Sequence, residues 1–187
     1  MKLLLIRHAA AAGNQEKRYI GRTDAPLCPA GIAALTALRY PQCEVLYSSP
    51  MRRCTETAQI LFPGQKPLLC ADLRECDFGD FEGKCYAELN GDPAYQAWID
   101  SGGTLPFPHG EAPEAFRARC RAAFLEIMQR HRDAASIAMV VHDGTIMAVL
   151  SGYAVPHRGY FDWQTENAHG WFCDWDGTRT IRIPEKL

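Results

Sequence analysis

The sequence predicts an α/β fold, a three-layer sandwich in which helices cover both faces of a mostly parallel central sheet. Three observations lead to this prediction. Two short apolar runs, at 3–6 and 137–141, have the composition of buried strands. Segments with helical spacing alternate with strand candidates over most of the chain, which is typical of parallel sheets. A closing hairpin adds one antiparallel strand.

In the first half of the chain, each helical segment lies between two short apolar runs. The predicted elements, in chain order, are a strand at 3–6, a helix from 29 to about 39, a strand at 44–47, a helix at about 51–61 and a strand at 67–70. A polar loop with several Gly and Pro residues, 13–29, follows the first strand. Ser49 is the predicted N-cap of the second helix, with Pro50 at its first position.

In the second half, the periodicity breaks down over 77–113. We expect an excursion from the sheet there, with short helices, one of them opened by Pro93. Its aromatic side chains either contact a ligand or pack the excursion onto the sheet. The elements that follow are an amphipathic helix at 114–132, a strand at 137–141, a helix from about 144, and a hairpin with strands at 170–175 and 178–183. We expect a single domain over 1–187, with 77–113 as a lid.

Composition and charge narrow the classes of function. With 187 residues, 47% of them hydrophobic and 22% charged, the chain is ordinary for one globular domain. The net charge of −2 argues against a nucleic-acid surface. No segment approaches the roughly 20 apolar residues of a membrane span, so no membrane partner is expected. The eight cysteines have neither a C-x-x-C pair nor metal-ligand spacing, which predicts free thiols, no metal or cofactor, and a cytoplasmic location.

Reactive side chains follow the predicted strands. Arg7 and His8 end the first strand, His142 ends the strand at 137–141, and Arg53 and Glu75 lie shortly after two other strand candidates. Such strand ends meet at one edge of the sheet, where ligands bind. Guanidinium groups match phosphate oxygens, an imidazole can attack phosphorus, and a carboxylic acid can protonate a leaving oxygen. Each residue alone has an ordinary structural explanation, but together they indicate a site for a small phosphorylated metabolite.

Five motifs, in this order, resemble those of the histidine phosphatase superfamily, which includes phosphoglycerate mutases and α-ribazole phosphatases. They are similar to the family's L-x-R-H-G, G-R-x-D-x-P-L, S-S-x-L-x-R, L-R-E-x-D-F-G-x-W-E-G and histidine-bearing strand motifs, and they lie at 5–8, 21–27, 47–53, 73–83 and 141–144. The resemblance covers nearly the whole chain. It is greatest to α-ribazole phosphatases, because the chain is short and because of the segment from Gly110-Glu111 to Arg119.

The resemblance implies a mechanism. His8 would attack phosphorus and form a phosphohistidine, and Glu75 would give a proton to the leaving oxygen and later take one from water. The phosphate-binding residues that it implies are Arg7, Asn14, Arg53 and His142. To attack, His8 must be neutral, with its other ring N–H bonded to an acceptor that the sequence does not identify. His142 is expected to be protonated, as a third cation.

The chain departs from the family pattern at two positions. Ala9 replaces a glycine, which is harmless at negative φ and strained at positive φ. Ala11 replaces a threonine, which removes one hydroxyl that could contact phosphate. The register of the motif selects Arg53 over Arg52 as the arginine of the site. If Glu75 is not the general acid, the alternatives are other carboxyl groups of the same acidic loop: Asp77, Asp80 and Glu82.

These features predict a metal-independent phosphomonoester hydrolase, with α-ribazole 5′-phosphate as one candidate substrate. A phosphoglycerate mutase and a broad-specificity sugar-phosphate phosphatase are alternatives within the family. An alternative of another class is a non-catalytic module that binds a phosphorylated ligand. A carboxylate such as Glu75 beside the anion argues against that module, because it would repel the phosphate. The oligomeric state is left open.

Overall fold

The computed structural model describes residues 1–182 and 185–187 with their side chains, and 183–184 only as part of a strand. Its strands are β1 (Lys2–Arg7), β2 (Val45–Ser48), β3 (Leu68–Leu69), β4 (Ser136–Val141), β5 (Ala154–Val155), β6 (Gly170–Trp175) and β7 (Ile181–Lys186). Its α-helices are α1 (Pro29–Ala37), α2 (Arg52–Leu61), α3 (Tyr86–Leu89), α4 (Pro93–Asp100), α5 (Pro113–Arg130) and α6 (Asp143–Tyr153). None of the helices in these residues is long and apolar enough to cross a membrane.

The seven strands form one sheet in the order β3-β2-β4-β1-β6-β7-β5. The pairs β1–β4, β2–β4, β2–β3 and β5–β7 are parallel. Strand β6 runs antiparallel to both of its neighbours, β1 and β7. Among the described strands, β6 alone therefore has the reversed direction. This confirms the prediction of a mostly parallel sheet with one antiparallel strand.

Alternate residues of the central strands face two separate cores, which is the pleat of a strand buried on both faces. Leu3 and Leu5 of β1 pack with α5 and α6, against side chains such as Phe124 and Ile146. The intervening residues of the strands pack against α1 and α2 in a second cluster: Leu4, Ile6, Ala138 and Val140. Helices therefore cover both faces, and the predicted three-layer sandwich is confirmed.

The N-terminus of α2 differs from the prediction. The helix begins at Arg52, its N-cap is Met51, and no side chain caps it. The Ser49 hydroxyl lies instead 2.9 Å from Nε2 of His142. Ser49 was therefore wrongly predicted as the N-cap, because its side chain bonds to His142, a residue far away in sequence that directly follows β4.

The excursion at 77–113 contains α3, α4 and a 3₁₀ turn at 79–81. Pro93 opens α4, as predicted, and the Asp92 carboxylate caps the helix by accepting the amide of Ala94 at 2.8 Å. Tyr95 and Phe107 are buried in a third cluster, on which Trp98 packs. The aromatic residues thus pack the excursion onto the body of the protein, and Trp98 and Phe107 also line the main cavity.

The C-terminal hairpin also differs in detail. Its second strand begins at Ile181, three residues later than predicted. Asp176 causes the delay, because its carboxylate accepts the amides of Thr178 and Thr180 and closes a longer turn. The side chain of the predicted last strand residue, 183, lies outside the described residues. Strand β5 and the 3₁₀ turn at 160–163 were not predicted.

Candidate active site

The ends of β1 and β4 bring the two predicted histidines together. The strands pair in parallel with Arg7 opposite Val141, so that the residues that follow each of them, His8 and His142, share one edge of the sheet. Their ring centroids are 5.2 Å apart, and both side chains are buried. The sequence expectation of two facing imidazoles is confirmed by this geometry.

One backbone contact orients the His8 ring. Its Nδ1 lies 2.7 Å from the carbonyl oxygen of Ala9, which can only accept a hydrogen bond, so Nδ1 carries the proton. Burial lowers the pKa of His8 well below its usual value, and the positive charge of Arg53 lowers it further. His8 is therefore neutral, with an unprotonated Nε2. The Ala9 carbonyl is the acceptor that the sequence could not identify.

His142 is also neutral in the free site. Nη2 of Arg53 lies 3.3 Å from its Nδ1, and a guanidinium only donates, so Nδ1 accepts and Nε2 donates to Ser49 Oγ. Burial lowers the pKa of His142 well below its usual value, with Arg53 and His8 adding to the effect. In the unliganded protein, desolvation and a neighbouring guanidinium therefore disfavour the imidazolium, and the expected third cation would form only with an anion bound.

Arg53 is fully buried beneath the histidines. Its Nη1 donates to the carbonyl of Thr23 at 2.7 Å and its Nη2 to that of Gly21 at 2.9 Å. Its Nε is buried and has no hydrogen-bond partner among the described residues. Buried donors are rarely left unpaired, so this N–H is available to an anion that enters the site. Arg52, by contrast, is exposed and pairs with Glu56, and the register that selects Arg53 agrees with this placement.

The backbone that holds Arg53 is itself held by the excursion. The Glu82 carboxylate accepts the amide of Gly21 at 3.0 Å, and the amide and hydroxyl of Thr23 at 2.9 and 2.7 Å. The family-like segment at 21–27 therefore supplies the backbone carbonyl groups that accept hydrogen bonds from the Arg53 guanidinium. Glu82 bonds to this loop and is not among the residues that line the main cavity.

Arg7 lies above this floor, at the wall of the cavity. Its Nη1 donates to the carbonyl of Thr165 and lies 3.4 Å from a carboxylate oxygen of Asp143. Like Arg53, it has a buried Nε without a partner in the described part of the chain. Asp143 also accepts the Thr165 amide at 2.9 Å. The sequence did not single out Asp143, although its position directly after His142 is a signal that it belongs to the site.

Glu75 supplies a carboxyl group at the cavity wall. Its Oε1 accepts the Cys76 amide at 3.0 Å, and its Oε2 lies 3.4 Å from the amide of Gly144. Burial raises the pKa of Glu75, and the negative charge of Asp143 contributes in the same direction. The group thus favours the protonated form that a general acid needs.

The other acidic candidates have structural partners. The Asp77 carboxylate accepts the Gly79 amide at 2.9 Å, and Asp80 pairs with the His109 ring at 2.9 Å. Neither of the two lines the cavity. Among the carboxyl groups that the sequence offered, Glu75 is therefore the one that the structure brings to the cavity wall.

Asn14 and the two alanines of the family-like opening motif follow His8 closely in sequence. Asn14 lines the cavity, and its Oδ1 accepts the Ala11 amide at 2.9 Å, which leaves its NH₂ group available as a donor. Ala9 does not have a positive φ, and its methyl group packs in the core beneath α1 and α2. The glycine-to-alanine departure therefore strains neither the backbone nor the cavity.

The cavity above these groups has a volume of about 950 Å³. One wall is aromatic, with side chains from the excursion, α5 and the turn at 160–163: Phe78, Trp98, Phe107, Phe116, Tyr160 and Phe161. Polar residues, among them Lys17 and Asn167, also line the cavity. Arg53 and His142 do not line the cavity, because neither side chain has exposed surface. Among the described residues, no group of three or more His, Cys, Asp or Glu side chains is placed to hold a metal ion.

Comparison with known proteins agrees with this geometry. Residues 3–181 match the histidine phosphatase superfamily (branch 1). A relative from Hydrogenobacter thermophilus, provisionally named phosphoserine phosphatase 2, is 31% identical over 158 residues, which are 80% of this chain and 76% of the relative.

Two solved structures share the fold over the whole chain. Phosphoglycerate mutase from Thermus thermophilus is 28% identical, with a TM-score of 0.77, and the match covers 100% of this chain and 98% of that one. The alpha-ribazole phosphatase from Shigella flexneri superposes with a TM-score of 0.85 over 100% of this chain and 96% of that one, at 20% identity, and so shows the fold alone. The chain belongs to the histidine phosphatase superfamily, branch 1, and is a phosphatase.

Proposed function

We propose that the protein hydrolyses small phosphomonoesters without a metal, through a phosphohistidine formed on His8. The observation that carries this proposal is the 2.7 Å contact between His8 Nδ1 and the Ala9 carbonyl. It supports a neutral ring whose Nε2 lone pair is free to attack phosphorus. The lowered pKa of His8, caused by burial and by Arg53, supports the same protonation state at neutral pH.

The proposed role of Arg7, Asn14, Arg53 and His142 is to bind the oxygens of the transferring phosphoryl group. The unpartnered, buried Nε atoms of Arg7 and Arg53 support this role, because an anion would satisfy both donors. The transition state spreads negative charge over the phosphoryl oxygens, so preorganised donors stabilise it more than the substrate. His142 donates through Nε2, or gains a proton when the dianion binds and offsets the charge of Arg53.

Glu75 is the proposed acid and base. In the first step the bond from Nε2 of His8 to phosphorus forms while the ester P–O bond breaks, and the Glu75 proton moves to the leaving oxygen. In the second step water attacks phosphorus, its proton passes to the Glu75 carboxylate, and the P–N bond breaks to release phosphate and neutral His8. The raised pKa of Glu75, caused by burial, supports the first step.

Rapid quenching with ³²P-labelled substrate tests the proposal. The expected result is an acid-labile, alkali-stable label on the peptide that contains His8, lost in His8→Ala and retained in the exposed-histidine control His157→Ala. A folded His8→Ala protein with wild-type turnover, or a label on another residue, would overturn the proposal.

Several finer features belong to the same proposal. Residues 1–187 would form one domain in which 77–113 covers the leaving group, and the excursion's contribution of Phe78, Trp98 and Phe107 to the cavity supports this. The aromatic wall also supports α-ribazole 5′-phosphate, which carries a ring system, as a candidate substrate. The name of the Hydrogenobacter relative supports phosphoserine instead, and the match to a phosphoglycerate mutase keeps that reaction as an alternative. The eight free cysteines support a reducing, cytoplasmic location.

A further inference from the structure

We infer that Arg117, stacked on Tyr160, forms a subsite for a second anionic group, and that the preferred substrates are phosphomonoesters whose leaving alcohol carries a carboxylate. The inference rests on the proposed function and deepens it. It concerns only the side of the cavity that receives the leaving group.

A short series of contacts places this pair beside the proposed acid. The Gly144 amide lies 3.4 Å from Oε2 of Glu75. The hydroxyl of Tyr160 donates to the carbonyl of the same Gly144 at 3.3 Å. The guanidinium carbon of Arg117 then lies 4.2 Å from the centre of the Tyr160 ring. Glu75, Tyr160 and Arg117 all line the same cavity. Since Glu75 would protonate the leaving oxygen, Arg117 lies on the side of the cavity that the leaving alcohol would occupy.

The stacking leaves the binding edge of Arg117 free. A guanidinium stacks through its face and donates hydrogen bonds through its edge, so the Tyr160 contact positions the group without using its N–H donors. No hydrogen bond from the Arg117 side chain is formed within the described residues. Its nearest carboxylate is Glu114 at 3.8 Å, beyond hydrogen-bond distance, on a side chain that is 77% exposed. An incoming carboxylate can accept two parallel N–H bonds at this edge.

Partial burial makes the subsite more than a surface charge. The Arg117 side chain is 21% exposed, so that part of its hydration is already lost before a ligand arrives. An ion pair there is screened less than one on the open surface. Two other arginines of the region differ, because they are already neutralised: Arg18 by Glu88 at 2.6 Å and Arg119 by Glu111 at 2.8 Å. Arg117 is therefore the arginine of this wall that is placed to accept a new anion.

Pairs of substrates that differ by one carboxylate test the inference. O-phosphoserine is compared with O-phosphoethanolamine, and phosphotyrosine with phosphotyramine. Within each pair the phosphate ester is the same, and the two pairs differ in the distance between the phosphate and the carboxylate. In the wild type, kcat/KM is expected to be roughly 10- to 100-fold higher for the carboxylate member of at least one pair, the range of a charge-assisted hydrogen bond. Arg117→Ala should remove that preference, mainly through KM, and leave kcat/KM for the decarboxylated partner within about threefold.

Matched variants separate the subsite from general effects. Arg117→Lys keeps the charge without the planar fork and should retain a reduced preference. Arg130→Ala makes the same change at the exposed end of α5 and should leave the preference unchanged. Lys17→Ala tests a second cation of the lining, and a selective loss there with none in Arg117→Ala would overturn the assignment. If Arg117→Ala does not fold, judged by circular dichroism, Arg117→Gln replaces it.

The outcomes distinguish this inference from the proposed function. Wild-type turnover of p-nitrophenyl phosphate with no preference within either pair would overturn the carboxylate subsite and leave the phosphatase mechanism standing. An equal loss on both members of a pair in Arg117→Ala would do the same. A wild-type protein without turnover of any phosphomonoester, and without a phosphohistidine, would overturn the proposed function itself.

Discussion

The guanidinium of Arg7 lies 3.4 Å from the carboxylate of Asp143, and both side chains are about four-fifths buried. A negative charge therefore stands next to the cavity that is proposed to receive a phosphate dianion. It has two opposite effects, because it positions Arg7 and repels the substrate. It also raises the pKa of Glu75, in addition to the larger effect of burial.

Asp143→Asn is expected to shift the pH dependence of the enzyme. The amide keeps an acceptor for Thr165 but removes the charge, so the pKa of Glu75 falls toward its usual value. Because the acid must be protonated, the alkaline decline of kcat/KM on alkyl phosphates should begin at a lower pH. Inorganic phosphate should also inhibit more strongly. The control is Asp174→Asn, because Asp174 forms an exposed ion pair with Lys2. Identical pH profiles for the wild type and both variants would contradict an effect of Asp143 on Glu75.

The two neighbouring arginines should separate in kinetics. Arg53→Ala removes a buried cation beneath the histidines and should lower kcat by roughly 10²- to 10³-fold, as for the loss of a preorganised donor. Arg52→Ala removes an exposed pair with Glu56 and should change kcat by less than about twofold. Steady-state assays of both folded variants check the ranking, and the opposite order would mean that the wrong arginine has been assigned to phosphate.

Glu75→Gln should slow phosphohistidine formation more, the poorer the leaving group of the substrate. An alkoxide needs a proton to depart, whereas p-nitrophenolate does not. The burst of phosphohistidine formation is therefore expected to slow much more on alkyl phosphates than on p-nitrophenyl phosphate. The intermediate should also persist longer, because the same carboxyl group is proposed to activate water. Equal losses on the two substrates would show that Glu75 only positions the phosphate.

Ala9→Gly restores the family's glycine and should lower stability without raising activity. Ala9 is fully buried and has no positive φ, so the change adds freedom to the unfolded chain and removes a packed methyl group. We expect a loss of about 1–2 kcal/mol in the free energy of unfolding, measured by urea denaturation, with kcat within about twofold. A tenfold gain in kcat would mean that the methyl group restricts the cavity.

Chelation should leave the activity unchanged. The proposed chemistry uses a histidine nucleophile and bound cationic side chains, and requires no metal-activated water. Activity after prolonged dialysis against EDTA is compared with activity after addition of Mg²⁺, Mn²⁺ or Zn²⁺. Loss on chelation and recovery with one of these ions would point to different chemistry.

The sequence could predict the site residues that lie at the ends of strands. The apolar runs that became β1 and β4 carry Arg7, His8 and His142, and parallel pairing in register is enough to bring these residues to one edge. Motif register was enough to select Arg53 over Arg52. These features depend on local pattern, and the structure places them as expected.

The contacts that set protonation could not be predicted in the same way. The acceptor for His8 Nδ1 is a backbone carbonyl, which no residue type encodes. His142 is neutral because the folded chain buries it and places the Arg53 guanidinium beside it, and neither effect can be read from the sequence. Ser49 has the residue type of an N-cap, but its hydroxyl bonds to His142, which follows the neighbouring strand of the sheet. Long-range partners override local preference at each of these positions.

Glu82 lies outside the cavity, but it connects the excursion at 77–113 to Arg53. By holding the amides of Gly21 and Thr23, it sets the carbonyl groups that grip Arg53. The excursion at 77–113, proposed to cover the leaving alcohol, and the Arg53 guanidinium, proposed to bind the phosphoryl group, are thus parts of one hydrogen-bonded assembly. If both roles hold, a substitution in the excursion that changes substrate preference would also change the rate of phosphoryl transfer, so that selectivity and turnover could not be altered independently.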